Sequence, residues 1–180
     1  DDAFDQLETD ITPFLEGEDV PVFGALPREQ DLAGITVGDL ADELGADVLT
    51  DVPTDAYVER FSVGAMGSDA ALRHFRRTRD AAVITGGDRS DIQTTALQAP
   101  GVECLILTGG HRPSGAVVGK AEEKGVPILV VQTDTLTTID RAEGVVSEGR
   151  TRDATTVERM RELLADHADV DEILAGASAS

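Results

Sequence analysis

The apolar and polar positions between residues 81 and 138 repeat one pattern three times. Each repeat begins with a short apolar run, continues through a Gly- or Thr-rich turn, and ends in a stretch with helical spacing. The apolar runs are residues 81–85, 104–108 and 127–131. Such runs are typical of strands that are covered on both faces. Their alternation with helices predicts right-handed crossovers and a mainly parallel sheet, which is an α/β fold.

The turns after the first two runs are near copies of each other. Residues 85–89 and 108–112 both read T-G-G-x-R, 23 residues apart, whereas the third turn, residues 132–135, follows at nearly the same interval without glycine. The carboxyl ends of neighbouring parallel strands meet at one edge of a sheet, where open α/β sheets bind ligands. We therefore expect the three turns to lie together at a ligand-binding edge.

The chemistry of these turns suits a small anion. Paired glycines allow positive φ angles, and the N–H groups at the start of a helix favour negative charge. Arg89 and Arg112 could each bind a phosphate or a carboxylate through two hydrogen bonds. The predicted ligand-binding residues are Thr85, Gly86, Gly87, Asp88, Arg89, Thr108, Gly109, Gly110, Arg112, Ser114, Thr133, Asp134 and Thr135.

A second interpretation of the same turns needs no ligand. Tight turns between a strand and a helix require glycine in any case, and the arginines could pair with nearby carboxylates such as Asp88 and Asp91. Ser90 and Ser114 are predicted to be helix N-caps rather than members of a catalytic set. Both interpretations stay open at the level of sequence.

Motifs for nucleotide hydrolysis and for metal binding are missing from the sequence. Gly110 and Gly115 have the glycine spacing of a P-loop, but Ala116 stands where that motif requires lysine. Of the three histidines, only His111 lies at the predicted ligand edge, so no metal site is predicted. We expect no cofactor and no catalytic residue in this chain.

The remaining pattern predicts flanking elements on both sides of the repeats. Helices are predicted at residues 3–15, 36–44, 68–75, 151–165 and 169–174, and strands at residues 20–27, 46–50, 57–66 and 145–146. Residues 28–34 are predicted to be a linker. The predicted organisation is a preceding segment at residues 1–34, a central domain at residues 35–148, and a helical extension at residues 149–180.

The charge of the chain is strongly negative, with 35 acidic residues against 15 basic ones and a formal net charge of −20. The acids are dispersed, and Lys120 and Lys124 are the only lysines. This composition resembles that of proteins from halophilic archaea, in which salt screens the self-repulsion, and an ordinary acidic cytosolic protein is the alternative. Binding to the phosphates of nucleic acid is disfavoured, because it needs a basic face.

The apolar runs are too short for a membrane protein. None reaches the roughly 18 residues that cross a bilayer, and no signal peptide is recognisable, so we expect a cytoplasmic protein. Cys104, the only cysteine, lies inside an apolar run and is expected to be buried, with no intramolecular disulfide. Because the chain begins with Asp1 rather than methionine, we expect it to be a fragment of a longer protein.

A basic cluster stands out in this acidic sequence. It consists of Arg73, Arg76, Arg77 and Arg79. One interpretation is a solvated surface that complements the negative end of a helix dipole. The other is a surface for salt bridges between chains, to which two nearby aromatic residues would add apolar area.

The three repeats resemble the DRTGG domain in the order, spacing and identity of their turns. The residues that carry this resemblance are 83–93 (VITGGDRSDIQ), 107–114 (LTGG, then RPS) and 126–130 (VPILV), within residues 35–148. The resemblance implies a three-layer α/β/α domain related to the N-terminal domain of HPr kinase. It also implies an accessory module, as in phosphotransacetylases and CBS-containing pyrophosphatases, that regulates or dimerises and carries no catalytic residues. Ser90 and Asp91 follow Asp88 and Arg89 here, so the name-giving letters are not reproduced literally.

Residues 20–27, VPVFGALP, are similar to a late strand of P-loop proteins of the dethiobiotin-synthetase and cobyrinate-synthase type. This similarity implies that the chain is the C-terminal part of a BioD-like or phosphotransacetylase-family protein, with a P-loop domain before it. The leading hypothesis is a non-catalytic regulatory module that forms a homodimer and binds a small anionic metabolite or nucleotide. The alternatives are part of a composite active site, in an ATP-dependent ligase or a phosphotransacetylase-like transferase, and a purely structural dimerisation domain.

Overall fold

The computed structural model describes residues 2–152 and 154–178, with side chains described over 4–29, 32–146 and 156–175. By the contacts of these residues, the chain divides into two compact units. The terminal unit is formed by Asp1–Ala33 and Thr151–Ser180, and the sheet unit by Gly34–Arg150. The association of the two ends of the chain in one unit does not follow from the sequence pattern.

The elements alternate through the sheet unit in the predicted order. The helices are α1 (Asp2–Gln6), α2 (Thr12–Gly17), α3 (Gln30–Ala33), α4 (Val37–Leu44), α5 (Ser68–Phe75), α6 (Ser90–Ala96), α7 (Gly115–Lys124), α8 (Thr135–Arg152), α9 (Ala154–His167) and α10 (Val170–Ser178), with a π-helical segment, Leu7–Ile11, between α1 and α2. The strands are β1 (Ile35–Thr36), β2 (Asp47–Val48), β3 (Tyr57–Val58), β4 (Arg60–Val63), β5 (Ala81–Gly86), β6 (Val102–Thr108) and β7 (Ile128–Val130).

Within the described residues, the main sheet has five strands in the order β2-β7-β6-β5-β4. Strands β4 to β7 are parallel neighbours in sequence order, and β2 pairs with β7 in the antiparallel direction. Strands β1 and β3 form a separate two-stranded antiparallel ribbon. The predicted mainly parallel sheet is confirmed.

Helices cover both faces of this sheet, because alternate side chains of its strands point to opposite sides. On one face, α5, α6 and α7 pack on Val83, Leu105 and Leu107. On the other face, α4 and α8 pack on Ile84, Ile106 and Leu129. All six of these strand side chains are inaccessible to solvent. The arrangement is the predicted three-layer α/β/α fold.

Helix α4 shows how local sequence sets the ends of these helices. The Thr36 hydroxyl oxygen accepts the Asp39 N–H at 3.1 Å, which caps the first turn. Gly45 ends the helix in the left-handed conformation at φ 60°, where its N–H reaches back to the last carbonyls. Both ends lie where the sequence predicts them.

Two predicted strands are wrong. Val145 and Val146 belong to α8, where Val145 shares a buried face with Ile139 and Ala142 at helical spacing. Residues 20–27 pair with no other strand among the described residues and form only an isolated bridge between Gly24 and Ala168. The prolines within that segment lack an N–H group for a regular ladder.

Other predicted elements are shorter or divided. The strand predicted at residues 46–50 is only β2, and the strand predicted at residues 57–66 is divided into β3 and β4, which join different sheets. The predicted linker at residues 28–34 contains the short helix α3.

The terminal unit is held together by contacts between its two segments. The Asp169 N–H donates to the Phe23 carbonyl at 2.6 Å, and Arg159 pairs with Glu29 at 2.7 Å. The Asp169 carboxylate also accepts the Glu172 N–H at 2.9 Å, which caps α10 where the sequence predicts its start. Among the described side chains of this unit, only Leu163 is buried, with 7% of its surface exposed.

Candidate functional site

The predicted turns lie together at the carboxyl edge of the sheet, because β5, β6 and β7 are parallel neighbours. The structure adds one turn that sequence reasoning missed. Residues 64–67 follow β4 and lead into α5 at the same edge. Its signal in the sequence is Gly64, which precedes Gly87 by the same 23 residues that separate Gly87 from Gly110.

The threonines of the predicted site bond within the protein. Thr85 Oγ1 donates to the Gly64 carbonyl at 3.2 Å, and Thr108 Oγ1 lies 2.8 Å from Thr135 Oγ1. Thr133 Oγ1 lies 2.8 Å from Thr138 Oγ1 in the same way. The first two of these bonds join neighbouring turns to one another, and the third lies within the third turn and the start of α8.

The first T-G-G-x-R turn has no left-handed glycine: the described positive-φ residues include neither Gly86 nor Gly87. The Gly87 N–H donates to the Thr108 carbonyl at 3.1 Å, and a Cβ on Gly87 would collide with the backbone of His111. The side chain of Asp88 packs beside Gly86 in a similar way. Glycine is needed here for close approach rather than for positive φ.

The second turn has the predicted left-handed conformation, with φ 80° at Gly109 and 70° at Gly110. Both N–H groups are already used: Gly109 donates to the Thr133 carbonyl at 2.9 Å, and Gly110 donates to the Val131 carbonyl at 2.9 Å. These bonds join the second turn to the third. Neither N–H is available to a ligand in this conformation.

The arginine of the first turn is held by the protein itself. Arg89 Nε and Nη2 donate to the two oxygens of Asp91 at 3.0 and 3.1 Å, and Nη2 also donates to the Met66 carbonyl at 3.2 Å. The Ser68 hydroxyl donates to Asp91 as well, at 3.3 Å. The hydrogen bonds from Arg89 lower the pKa of the Asp91 carboxyl to about 2. Arg89 thus joins the first turn to residues 64–68, as the interpretation without a ligand expects.

The arginine of the second turn is held much less. Its guanidinium is 70% exposed and lies 3.9 Å from the Asp47 carboxylate, which is itself 64% exposed. An exposed pair at this distance contributes little to stability, so the side chain of Arg112 can turn toward a ligand without losing a strong contact.

The helices that begin at this edge differ in whether a side chain accepts hydrogen bonds from the N–H groups of their first turns. The Asp134 carboxylate accepts the N–H groups of Leu136 and Thr137 at 3.0 and 3.1 Å, and the bond from the Thr137 hydroxyl lowers the pKa of Asp134. Ser114 stands at the N-cap position of α7, but its side chain makes no capping bond. The start of α8 therefore already carries a negative group, whereas the start of α7 does not.

The other serine cap predicted from sequence, Ser90, is wrong. Ser90 is the first residue of α6, and Arg89 stands at the N-cap position without a capping bond. Ser68 is likewise the first residue of α5, after Gly67. Ser68 instead donates its hydroxyl to Asp91, which is a contact between two turns.

Gln93 is a site residue that sequence reasoning missed. It is inaccessible to solvent, and its Nε2 donates to the Gly86 and Gly87 carbonyls at 3.2 and 3.0 Å. Its Oε1 has no hydrogen-bond partner among the described residues. The sequence feature that could have pointed to Gln93 is a polar residue beside Ile92 and Ala96 on the buried side of α6. It fixes the carbonyls of the first turn.

The chain leaves β6 and β7 toward opposite faces of the sheet. After β6 it forms α7, whose Val117 and Ala121 belong to one core. After β7 it forms α8, whose Ile139 and Ala142 belong to the other core. Such a divergence creates the crevice in which open α/β sheets bind ligands. By this rule, we expect the ligand-binding crevice at the second and third turns, beside Arg112.

The described residues lack a cluster for metal binding and a helix that could span a membrane. No group of three or more His, Cys, Asp or Glu side chains that could hold a metal ion occurs in the described part of the chain. None of its helices combines the length and the apolar character of a membrane span. Cys104 is buried, as predicted, and burial raises the pKa of its thiol.

Residues 39–145 match the DRTGG domain family, and this match covers more than half of the chain. The chain belongs to the DRTGG domain family. It is also similar to longer proteins: it is 27% identical over 176 residues to a phosphate acetyltransferase of Salmonella typhimurium and 29% identical over 173 residues to one of Escherichia coli. These alignments cover 93% and 91% of this chain but 24% of each relative. The chain thus spans about a quarter of the length of these relatives.

A solved structure has the same fold. It contains the CBS and DRTGG domains of the regulatory region of a Clostridium perfringens pyrophosphatase, in complex with the activator diadenosine tetraphosphate. The TM-score is 0.55 at 18% sequence identity, over 74% of this chain and 67% of the other. At this identity, the likeness shows a shared fold alone.

Proposed function

We propose that this chain is a regulatory module that binds a small anionic metabolite or nucleotide in the crevice between its second and third turns. The observation that carries the proposal is Arg112. Its guanidinium is exposed, its one ion pair within the described residues is the long contact to Asp47, and it precedes the uncapped start of α7. A phosphate or carboxylate there would gain a bidentate partner and the positive end of a helix dipole.

The comparisons support a regulatory role. The pyrophosphatase region with the same fold binds an activator that is a dinucleotide, and it combines a DRTGG domain with CBS domains. The phosphate acetyltransferases that resemble this chain are about four times its length, so the module would belong to a larger protein. Ligand binding would then control the activity of the other domains, provided that the ligand binds two states of the protein with different affinity.

The first experiment is calorimetric titration of the chain with ATP, diadenosine tetraphosphate, acetyl phosphate and coenzyme A. We expect at least one of them to bind, and we expect Arg112→Ala to weaken that binding by about tenfold or more, since a hydrogen bond to a charged group contributes about 1.5–3 kcal/mol. Arg141→Ala removes another exposed arginine, from α8, and is the matched control. Urea unfolding of both variants checks that the fold is intact.

Each outcome separates the hypotheses. Equal weakening by Arg112→Ala and Arg141→Ala would mean that net charge, rather than the crevice, controls binding. No binding of any of the four compounds to the folded chain would contradict the proposal and favour a structural domain. In a full-length protein, a fall in the turnover of saturated enzyme after Arg112→Ala, without a change in ligand response, would favour the composite active site.

The other parts of the hypothesis stay predictions. They are the homodimer, the P-loop domain before residue 1, the cytoplasmic location and the halophilic origin. Sedimentation of the chain tests the first, and the dependence of its unfolding free energy on KCl concentration tests the last, because a crowded acidic surface is stabilised by screening.

A further inference from the structure

A small cavity lies at the amino edge of the sheet, opposite to the edge at which the predicted turns meet. Its volume is about 240 Å³. Its walls are the segment between α6 and β6, the start of β6, and the turn between α7 and β7. Apolar side chains form part of its lining: Leu97, Ala99, Val102 and Val126. Sites for drug-sized ligands have volumes of roughly 300–1,000 Å³, so this cavity suits a smaller metabolite.

The cavity is also lined by Glu103, which occupies an irregular position of β6. Strands β5 and β6 pair Ala81 with Val102. The next pair is Ala82 with Cys104, so Glu103 is an extra residue on β6 without a partner on β5. Such a bulge turns a side chain out of the regular alternation of the strand, and bulges are common beside functional sites. The bulge explains how a carboxylate lines a cavity although both of its neighbours on β6 are buried.

The carboxylate of Glu103 is half-buried and lacks a counter-charge in the described part of the chain. No basic side chain described there lies within 4.0 Å of it, and it accepts no hydrogen bond from those residues. Burial raises the pKa of the Glu103 carboxyl, and the negative charge of Asp80 raises it further. Both effects disfavour the charged form, so a cation in the cavity would stabilise the carboxylate.

Lys124 supplies the opposite charge at the same cavity. It is the last residue of α7, its side chain is exposed, and no carboxylate oxygen of the described residues lies within 4.0 Å of its ammonium group. Glu103 and Lys124 therefore do not neutralise each other. A small zwitterion can pair with both groups, because it carries a cation and an anion a few bonds apart.

We propose that this cavity binds a small amino acid with an apolar side chain. The ammonium group of the ligand pairs with Glu103, its carboxylate pairs with Lys124, and its side chain contacts the apolar lining at Val102 and Val126. A divalent metal ion is a poorer occupant, because a single carboxylate does not provide the several oxygen ligands that Ca²⁺ or Mg²⁺ binds. The cavity and the proposed crevice lie at opposite edges of the sheet, so either proposal can fail without the other.

The test is an NMR titration of the chain with L-valine, isobutylamine and isovalerate, followed through the backbone amide signals. Isobutylamine is valine without the carboxylate, and isovalerate is valine without the ammonium group. We expect L-valine to shift the signals of residues 97–103 and 124–126 and to bind more tightly than either analogue. Glu103→Gln should weaken this binding by about tenfold or more, since it removes a charged hydrogen-bond partner. Lys124→Ala should weaken it by about threefold, because that ion pair is exposed.

The matched controls are Glu143→Gln and Lys120→Ala, which remove the same charges from positions outside the cavity lining. Urea unfolding of each variant checks that the fold is intact. Retained binding in both controls, with loss in Glu103→Gln, supports the site. Equal weakening by Glu143→Gln, or no shift of these signals by L-valine at up to about 10 mM, overturns it. Equal binding of isobutylamine and L-valine overturns the amino-acid class, because Lys124 would then make no contact with the ligand.

Discussion

The two T-G-G-x-R turns have nearly the same sequence and contact different partners. In the first turn, Arg89 is held by Asp91 and the Met66 carbonyl; in the second turn, Arg112 is exposed and has one long contact. The glycines differ too, since only those of the second turn are left-handed. A short motif therefore sets the location of a turn, whereas the residues after it decide what its arginine does.

The cause of this difference lies two residues beyond each arginine. The first turn has Asp91 at that position, which supplies a carboxylate to Arg89. The second turn has Ser114 there, preceded by Pro113, and no carboxylate is within reach in the local sequence. Proline also disfavours a helical conformation at Arg112, so α7 begins only at Gly115. Within the described residues, the longer second turn leaves its arginine with one long contact, to Asp47.

We expect the largest effect on the free energy of unfolding from Gly87→Ala, in the first turn. A Cβ at this position collides with the backbone of His111, so the first turn must move away from the second. We expect a loss of about 3 kcal/mol in the free energy of unfolding, as for other overpacked buried positions, measured by urea denaturation. Gly119→Ala, in α7 where the added Cβ meets no atom within 4 Å, is the control and should be neutral or stabilising.

A smaller effect, specific to the first turn, is expected from Asp91→Asn. The pKa of Asp91 is lowered to about 2 in the folded protein, below its value in the unfolded chain of about 3.9. A carboxyl with a lowered folded-state pKa contributes stability that is present above pH 4 and is lost as the pH falls toward 2. Unfolding curves over this range should be less pH-dependent for the variant than for the unmodified chain. An unchanged pH dependence would mean that Arg89 does not hold Asp91 in solution.

We expect the smallest effect on the free energy of unfolding from Ser114→Asp. This substitution makes the second turn more similar to the first. It gives the second turn the carboxylate that the first turn has at the corresponding position, and it caps the free start of α7. We expect a gain of about 0.5 kcal/mol in the free energy of unfolding and weaker binding of an anionic ligand in the crevice. Ser90→Asp is the control, because it adds the same charge to the first turn. Unchanged ligand affinity in Ser114→Asp would contradict the role proposed for Arg112.

Much of the sheet unit can be predicted from local patterns. Continuous apolar runs such as Cys104–Thr108 predict buried strands because both of their faces are covered, and Thr36 and Gly45 predict the two ends of α4 from their capping chemistry. The prediction fails where a short pair of apolar residues fits both the period of a strand and the period of a helix. Val145 and Val146 suit a strand by composition, but both lie in α8, where Val145 packs in the same core cluster as Ala142.

The sequence predicted where the candidate site lies, but it did not predict the contacts within the site. The alternation of strands and turns determines that residues 85–89, 108–112 and 132–135 meet at one edge, because parallel neighbours end together. The pairing of Arg89 with the carbonyl of Met66, 23 residues earlier, depends on the turn after β4, which lacks the T-G-G-x-R motif. Gln93 likewise has a role only because α6 places its amide under two carbonyls of the first turn.

The sequence by itself determined the family, the order of elements, the two-faced burial of the strands and the edge at which the turns meet. These properties depend on local periodicity and on the fixed geometry of parallel crossovers, so neighbouring residues are sufficient to define them. The tertiary structure decided which of the two arginines is held closely, which glycine lies against a neighbouring turn, and that the two ends of the chain form one unit. Each of these depends on contacts between residues distant in sequence, which no local pattern records.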